Sequence, residues 1–426
     1  MIGRYKKTVV DLLQLLRQFQ TQPKNTASLA DIQRKLYRAI CNVERRSKRA
    51  EERAAVARHS LRTGRLPKVQ AKHLKRRIES LTSSKQGYKN LIYLLKSVGD
   101  GLAFTIFDRY DLKPLAFKQS PGSLSGKAGR RKELHILHAL LKKNIRVILC
   151  DLTNVLRYGD ICAEKFKLPL PLEIKSSRNE NARTDRQIKN LGNMISYLHT
   201  DEMEGLYGRP GITKRVALTR RQRGYAHVLG EIIESAEQTN FAAREVELGV
   251  HYVVMRHFRA SEFEKYFQGR GKSVQFALLN SDKYSGAWAP FFPFVLSIDD
   301  VEQCFGFAAG AFSILVHIDL DEAVRIAKRR GFALTFDKPK DANFPDHITD
   351  DDWLWWFKPI KPSVADYFAV GPHMIGRLFF EFASLKWLIA SSVDRLPASL
   401  SAMIEEQVAK RSSSTPAPTD TTRSAP

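Results

Sequence analysis

Residues 145–177 constrain the fold of this chain more than any other segment. Residues 145–150 form a short, continuous apolar run, which is typical of a buried strand. Further along, the stretch 172–175 alternates apolar and charged residues, and this period of two predicts another strand. Glu173 and Lys175 would then project from one face, roughly 6.5–7 Å apart along the strand. A sheet with a charged face is therefore expected near the middle of the chain.

The charged side chains of this sheet suit metal-assisted cleavage of a phosphodiester. If the preceding segment pairs with residues 172–175 as a hairpin, Asp160 reaches the same pocket as Glu173 and Lys175. Hydrolysis needs a hard cation that neutralises phosphoryl charge and lowers the pKa of an attacking water. Mg²⁺ favours oxygen ligands and takes one or two carboxylates. Asp160 and Glu173 are thus the predicted ligands of Mg²⁺ or Mn²⁺, and Lys175 would orient the water or stabilise developing negative charge.

This pattern resembles the PD-(D/E)xK nuclease superfamily, in which an acidic residue on one strand is followed by (D/E)-x-K on the next. Gly159 precedes Asp160 where the name-giving proline would stand. The resemblance covers roughly residues 100–260 and implies a restriction-endonuclease-like α/β fold, a mixed sheet flanked by helices. Many members carry an acidic residue on the helix before the sheet and a polar residue on the helix after it. Glu133 and Gln187 match those two supporting positions.

The distribution of charge indicates a nucleic-acid partner. The chain has 69 Lys and Arg against 45 Asp and Glu, and residues 1–100 alone hold 24 basic against 7 acidic side chains. The basic residues there recur without interleaved aromatics, which suits phosphate contact along a duplex better than base stacking. The predicted contacts in this region are Arg45, Arg46, Lys48, Arg49, Arg53, Lys72, Lys75, Arg76 and Arg77. RNA, an anionic lipid or mere solvation would satisfy the same charge.

A glycine-rich, basic loop at residues 119–130 adds Lys127 and Arg130 to the predicted contacts. Its glycine spacing is one residue too short for a nucleotide-binding P-loop, and Ala128 replaces the hydroxyl residue that would bind Mg²⁺. A loop that touches substrate phosphate is the favoured interpretation.

The chain is expected to divide into four segments. Residues 1–98 form a basic all-helical region that binds nucleic acid, and Gly99-Asp100-Gly101 is interpreted as the breaker that ends its last helix. Residues 99–260 form the nuclease core, residues 261–410 a C-terminal α/β region of unknown role, and residues 411–426 a disordered Ser/Thr/Pro-rich tail.

Several strands are predicted outside the motif. Stretches 102–107 and 115–118 are expected to be strands, and 250–256 a strand that completes the nuclease sheet. In the C-terminal region, strands are predicted at 273–279, 294–297, 313–318 and 333–336, with helices at 319–330 and 374–391.

The remaining signals exclude some classes. The four cysteines have no C-x-x-C spacing, so zinc is not expected and a reduced, cytoplasmic setting is natural. No apolar run is long enough to span a bilayer, so no membrane partner is expected.

The sequence therefore predicts a metal-dependent endonuclease acting on double-stranded DNA, and the resemblance implies restriction or defence against foreign DNA. A non-catalytic nucleic-acid-binding protein on a nuclease-like scaffold remains an alternative. So does an adaptor with partner proteins, and a homodimer is also open.

Overall fold

The computed structural model is a mixed α/β structure. It describes residues 2–117, 124–125, 127, 129–165, 168–174, 182–208, 211–257, 260–269, 273–339, 354–360 and 368–394. Lys175, Trp353 and Asp350-Asp351-Asp352 lie outside these ranges.

The helices differ greatly in length, and two of them are far longer than the rest. They are α1 (Lys6–Thr21), α2 (Thr26–Thr63), α3 (Lys68–Ile106), α4 (Arg109–Leu112), α5 (Arg130–Lys142), α6 (Ala182–Thr200), α7 (Leu229–Thr239), α8 (Ala260–Phe267), α9 (Leu279–Asp282), α10 (Phe294–Ser297), α11 (Val301–Ala309), α12 (Leu320–Arg329), α13 (Pro372–Phe380) and α14 (Leu385–Val393).

The strands form small sheets with antiparallel pairing. They are β1 (Val147–Leu149), β2 (Ile161–Lys165), β3 (Leu168–Leu172), β4 (Glu202–Glu204), β5 (Ile212–Lys214), β6 (Phe241–Glu247), β7 (Val250–Met255), β8 (Val274–Leu278), β9 (Ser313–Asp319), β10 (Phe332–Thr335), β11 (Trp355–Pro359) and β12 (Phe368–Val370). Their orders are β1-β2-β3, β4-β5, β6-β7-β9-β8 and β10-β11-β12.

The long helices α2 and α3 pack against each other as a hairpin, which confirms the prediction of a helical N-terminal region. Near its base, α2 buries Leu29, Ile32 and Leu36, whose spacing keeps them on one helical face. Further out, only Ala54 and Ala57 are buried along α2 beyond Ala50. The outer part of the hairpin is thus held by small residues while its charged side chains face solvent.

Helix α3 does not end at Gly99-Asp100-Gly101, so the breaker interpretation is wrong. A Cβ atom added at Gly99 would lie 2.0 Å from the carbonyl oxygen of Leu152. Oδ1 of buried Asp100 accepts the backbone N–H groups of Asn154 and Val155 at 2.6 and 2.9 Å. The glycine is needed because the helix touches the backbone of the segment after β1, and Asp100 then fixes that segment by hydrogen bonds.

Residues 102–107 are not the strand that was predicted. They continue α3 as far as Ile106, and Leu102 and Ala103 are buried in the core. Residues 115–118 are also not a strand in their described part, since Lys113–Ala116 form a short 3₁₀ helix. Both predictions are wrong because short apolar runs fit a buried helix as well as a strand.

Strands β1, β2 and β3 form the sheet predicted around Asp160. The strand prediction at 145–150 is confirmed for Val147–Leu149, which is buried throughout. However, β7 pairs with β6 and β9 in a separate sheet, so the expectation that it completes the first sheet is wrong. β7 is buried along its whole length, and both of its edges are paired. Strand β6 pairs with one edge and the C-terminal strand β9 with the other.

The C-terminal predictions are confirmed at β8, β9, β10 and α12, whereas residues 294–297 form helix α10. Asp319 caps α12 by accepting the N–H groups of Asp321 and Glu322, at the start predicted for this helix. Trp355 and Trp356 are core residues.

One apolar core runs from α1 to α14. The segment boundaries at residues 98 and 260 stay predictions. Among the residues described, none of the helices combines the length and apolarity needed to cross a bilayer.

Candidate active site

Four charged side chains meet beside the start of β2. The Nζ atom of Lys127 lies 2.7 Å from Oδ1 of Asp160 and 3.0 Å from Oε1 of Glu133. It also lies 3.2 Å from Oδ2 of Asp151. The three carboxylates are nearly buried, whereas the Lys127 side chain is 34% exposed. We call these four residues the acid–lysine cluster; it is reached from solvent on the lysine side.

Asp160 is positioned by the turn that leads into β2. Gly159 has a φ of +74°, and a Cβ atom there would lie 2.7 Å from the carbonyl oxygen of Leu172. The backbone N–H of Asp160 donates to that same oxygen at 2.8 Å. Proline could not adopt this backbone, because its ring holds φ near −65°. Glycine suits this turn, whereas the proline of the resembled motif could not occupy it.

Glu133 lies in the first turn of α5, where the helix dipole favours an acid. The residue is 2% exposed, and its Oε2 atom has no hydrogen-bond partner within the described part of the chain. Burial raises the pKa of Glu133; the hydrogen bond to Lys127 opposes the rise, and the charge of Asp160 adds to it. A buried carboxylate oxygen of this kind is stabilised either by a proton or by a cation.

Asp151 belongs to the cluster, although the sequence reasoning missed it. It lies in the 3₁₀ turn Cys150–Leu152, directly after β1. The available signal was an acid immediately following a predicted buried strand, because such a residue lies at the strand's carboxyl end and can face the neighbouring strand. Asp151 also interacts electrostatically with buried Lys96 of α3. Burial lowers the pKa of Lys96, and the charge of Asp151 opposes this shift.

The lysine of the cluster is carried by a loop that α2 holds in place. Glu44 of α2 accepts the backbone N–H groups of Leu124 and Ser125 at 2.9 and 2.6 Å. Although burial disfavours the charged form, the hydrogen bond to Asp160 and the charge of Asp151 raise the pKa of Lys127. Lys127 is therefore a firmly charged ammonium group within the cluster.

Glu173, the described residue of the E-x-K pattern, is arranged differently from the prediction. β3 ends at Leu172, so the expectation that Glu173 and Ile174 belong to a strand is wrong. The N–H of Ile174 donates to Oδ2 of Asp160 at 2.8 Å instead of to a strand partner. Glu173 is half-buried and next to Ile174 in the chain, which keeps it near Asp160. Lys175 lies outside the described residues.

The helix predicted to follow the motif is present as α6. Gln187 belongs to it, but its side chain lies outside the described part of the structure. The supporting role predicted for Gln187 therefore stays a prediction.

A metal centre is not preformed in the described residues. No group of three or more His, Cys, Asp and Glu side chains there is arranged to hold a metal ion. The three carboxylates of the acid–lysine cluster instead face the ammonium group of Lys127.

The predicted nucleic-acid contacts on α2 and α3 are all exposed. They are Arg45, Arg46, Lys48, Arg49, Arg53, Lys72, Lys75, Arg76 and Arg77. Residues 45–90 hold 15 Lys and Arg against 3 Asp and Glu. We call this outer part of the helical hairpin, residues 45–90, the basic arm. Its charge creates an electrostatic surface for a polyanion.

Lys127 and Arg130 lie apart from this exposed set. The guanidinium carbon of Arg130 is 4.0 Å from the centre of the Tyr37 ring, and the group donates to the carbonyl of Leu124. Lys127 faces carboxylates. In this structure both side chains stabilise the loop before α5, and their direct contact with nucleic acid stays a prediction.

No protein-family model matches this sequence, and comparisons with curated proteins and with solved structures gave no significant match.

Proposed function

We propose that this protein is a metal-dependent nuclease that cleaves DNA at the acid–lysine cluster. The observation that carries the proposal is the convergence of Glu133, Asp151 and Asp160 on one cationic atom, Nζ of Lys127. Three nearly buried carboxylates around one ammonium group leave an excess of negative charge. An excess of buried acids, in a protein that also carries an exposed basic surface, suits a site that takes a cation together with a phosphate.

The acids of the cluster are of the type that a hard divalent cation takes as ligands, although the described residues are not arranged around an ion. All the donors are carboxylate oxygens, which Mg²⁺ and Mn²⁺ prefer, and Oε2 of Glu133 is a buried oxygen with no partner in the described residues. Asp160 would hold the ion, with Asp151, Glu133 and the nearby Glu173 as further donors. When bound, the ion would neutralise phosphoryl charge and lower the pKa of a water molecule.

The protein's own residues have separable tasks in this proposal. The N–H of Ile174 and the turn at Gly159 hold the Asp160 carboxylate in one orientation. Lys127 supplies a permanent positive charge beside the acids, suited to stabilising the negative charge that develops on a leaving oxygen. The basic arm would hold the phosphate backbone, with Lys175 and Gln187 as additional candidates from the sequence.

The order of elements supports the same proposal. Glu133 on α5, strands β1, β2 and β3, Asp160 at the start of β2 and helix α6 follow in the sequence of the PD-(D/E)xK pattern. The departures are Lys127 at the cluster and the end of β3 before Glu173. Lys127 could take the part that the family gives to the lysine of (D/E)-x-K.

The test is a cleavage assay on plasmid, linear duplex, single-stranded DNA and RNA, each with Mg²⁺, with Mn²⁺ and with EDTA. We expect Mg²⁺-dependent cleavage of duplex DNA that is lost in EDTA and falls at least about 100-fold in Asp160→Asn. Glu302→Gln, which removes an exposed acid in an ion pair with Lys6, is the matched control and should retain full activity. Cleavage that persists in Asp160→Asn and Asp151→Asn would refute the proposal.

A second candidate function is nucleic-acid binding without cleavage. It is favoured by one observation, namely that Lys127 already occupies the space between the acids. In that case the cluster would be an ion-paired brace between the loop, α5 and the sheet. Duplex binding without product in either metal, and without loss of binding in Asp160→Asn, would favour this function.

A further inference from the structure

A cleft with a volume of about 1020 Å³ is lined by none of the residues of the acid–lysine cluster. Its walls come from the segment after α3, from residues 214–222 and from the start of α13. Seven Lys and Arg residues line it against two Asp and Glu residues. Its size is at the upper end of the range for small-molecule sites, roughly 300–1,000 Å³.

Two arginines of this cleft are held side by side by one buried acid. Oε2 of Glu381 accepts from Nη1 of Arg109 at 2.9 Å and from Nε of Arg377 at 2.8 Å. Oε1 of Gln222 accepts from both guanidinium groups as well. Burial opposes ionisation of Glu381, but the charges of Arg377 and Arg109 outweigh it and lower the pKa of Glu381. The group therefore carries two positive charges against one negative charge.

Two other arginines of the cleft are paired with acids outside its lining. Arg215 pairs with Asp111 and Asp201, and Arg220 pairs with Asp394. Arg109 and Arg377 share the single acid Glu381 and so contribute one uncompensated positive charge to the cleft. The Arg109 side chain is 38% exposed, so it can reach a ligand, whereas Arg377 is buried and positions its neighbour.

The start of α13 adds an aromatic wall with an unsatisfied nitrogen. Nε2 of His373 is buried and has no hydrogen-bond partner within the described residues. Burial lowers the pKa of His373 to about 2, helped by the charges of Lys113 and Arg377, so the ring is neutral. Its ring centre is 5.6 Å from that of Phe117 and 5.2 Å from that of Phe291. Phe117 is 44% exposed, which is unusual for so large an apolar side chain.

We propose that this cleft binds a nucleoside phosphate. The phosphate would contact Arg109 and the start of α13, which has no side-chain cap and presents the positive end of the helix dipole. The base would lie against Phe117 and the neutral ring of His373. A guanidinium pair held by a buried acid recognises an oxyanion, and exposed aromatic rings recognise a planar base. This site does not use the acid–lysine cluster, so it is independent of the proposed nuclease activity.

Calorimetric titration of the full chain with ADP, adenosine, inorganic pyrophosphate and ribose 5-phosphate tests the proposal. We expect ADP to bind, Arg109→Gln to weaken ADP about tenfold, and Phe117→Ala to weaken ADP but not pyrophosphate. Arg325→Gln removes an exposed arginine on α12 and should leave ADP affinity unchanged. Asp160→Asn should also leave it unchanged, which separates this site from the nuclease proposal.

Three results would overturn the proposal. One is the absence of ADP binding at millimolar concentration. Another is equal ADP affinity in wild type and Arg109→Gln. The third is pyrophosphate binding as tightly as ADP, since the aromatic wall would then have no ligand.

Discussion

Gly99 offers the sharpest test of how the candidate site is supported, because two opposing effects act on Gly99→Ala. In an exposed helix interior, alanine is favoured over glycine by about 1 kcal/mol. At Gly99, however, the new Cβ would meet the carbonyl oxygen of Leu152 at 2.0 Å and its carbon at 2.8 Å. These are backbone atoms, so a side-chain rotation cannot relieve the contact.

The steric effect should win. Overpacking of a core costs about 1–3 kcal/mol, and a contact with fixed backbone belongs at the upper end of that range. After the gain in helix propensity, we expect Gly99→Ala to lower the free energy of unfolding by about 2 kcal/mol. Gly192→Ala is the matched control, because Gly192 lies within α6 with no atom near its added Cβ. That variant should gain up to about 1 kcal/mol.

Urea unfolding followed by circular dichroism measures both variants, and the two should differ by about 3 kcal/mol. Asp151 lies next to Leu152, so Gly99→Ala should also reduce any cleavage activity. A Gly99→Ala protein as stable as Gly192→Ala would refute the close contact between α3 and the segment after β1.

Three further predictions concern charge. Burial raises the pKa of Asp100 to about 6, so the folded state holds that proton more tightly than the unfolded state. Stability should fall by about 2 kcal/mol as the pH rises from 4 to above 6, and Asp100→Asn should lose this slope in urea unfolding. Burial likewise raises the pKa of Glu133, so Glu133→Gln should gain stability over wild type when the pH is raised from 4 to 8, measured by the shift in urea midpoint. On the basic arm, replacing Arg49, Lys72 and Arg76 by Gln should make the log–log salt slope of duplex binding shallower by about 3, measured by anisotropy.

The controls for these predictions are chosen outside the regions concerned. Arg244, Arg325 and Arg329 are similarly exposed arginines, and their replacement by Gln should leave the salt slope of duplex binding unchanged. An equal change in both triple variants would contradict the basic arm as the binding surface. A wild-type stability that is flat between pH 4 and 7 would contradict a buried, high-pKa Asp100.

The sequence predicted the structure best where a local pattern of residues is sufficient to determine it. The buried apolar run before the motif predicted β1, and residues 1–98 were predicted to be all-helical. Asp319 was recognised as a helix start because an acid at that position is favoured by the free N–H groups of the first turn. Glu133, one of the three carboxylates around Lys127, was identified only through the resemblance to a known pattern.

The failures have a common physical cause, which is that they depend on contacts between distant segments. Gly99 looked like a breaker, but the backbone at Leu152 is what requires it. The contact of Lys127 with Asp151 and Asp160 was not foreseen, because these acids lie 24 and 33 residues further along the chain. Asp151 offered only the position of an acid directly after a predicted strand, and the pattern of β7 did not show which sheet it would join. None of these pairings has a signature within a window of neighbouring residues.

The rate of Mg²⁺-dependent cleavage of duplex DNA in wild type, Asp160→Asn and Glu302→Gln tests the central claim most directly. We predict cleavage in wild type and Glu302→Gln, abolished by EDTA, and at least about 100-fold slower cleavage in Asp160→Asn at unchanged duplex affinity. Equal rates in wild type and Asp160→Asn would contradict the assignment of the acid–lysine cluster as the site of hydrolysis.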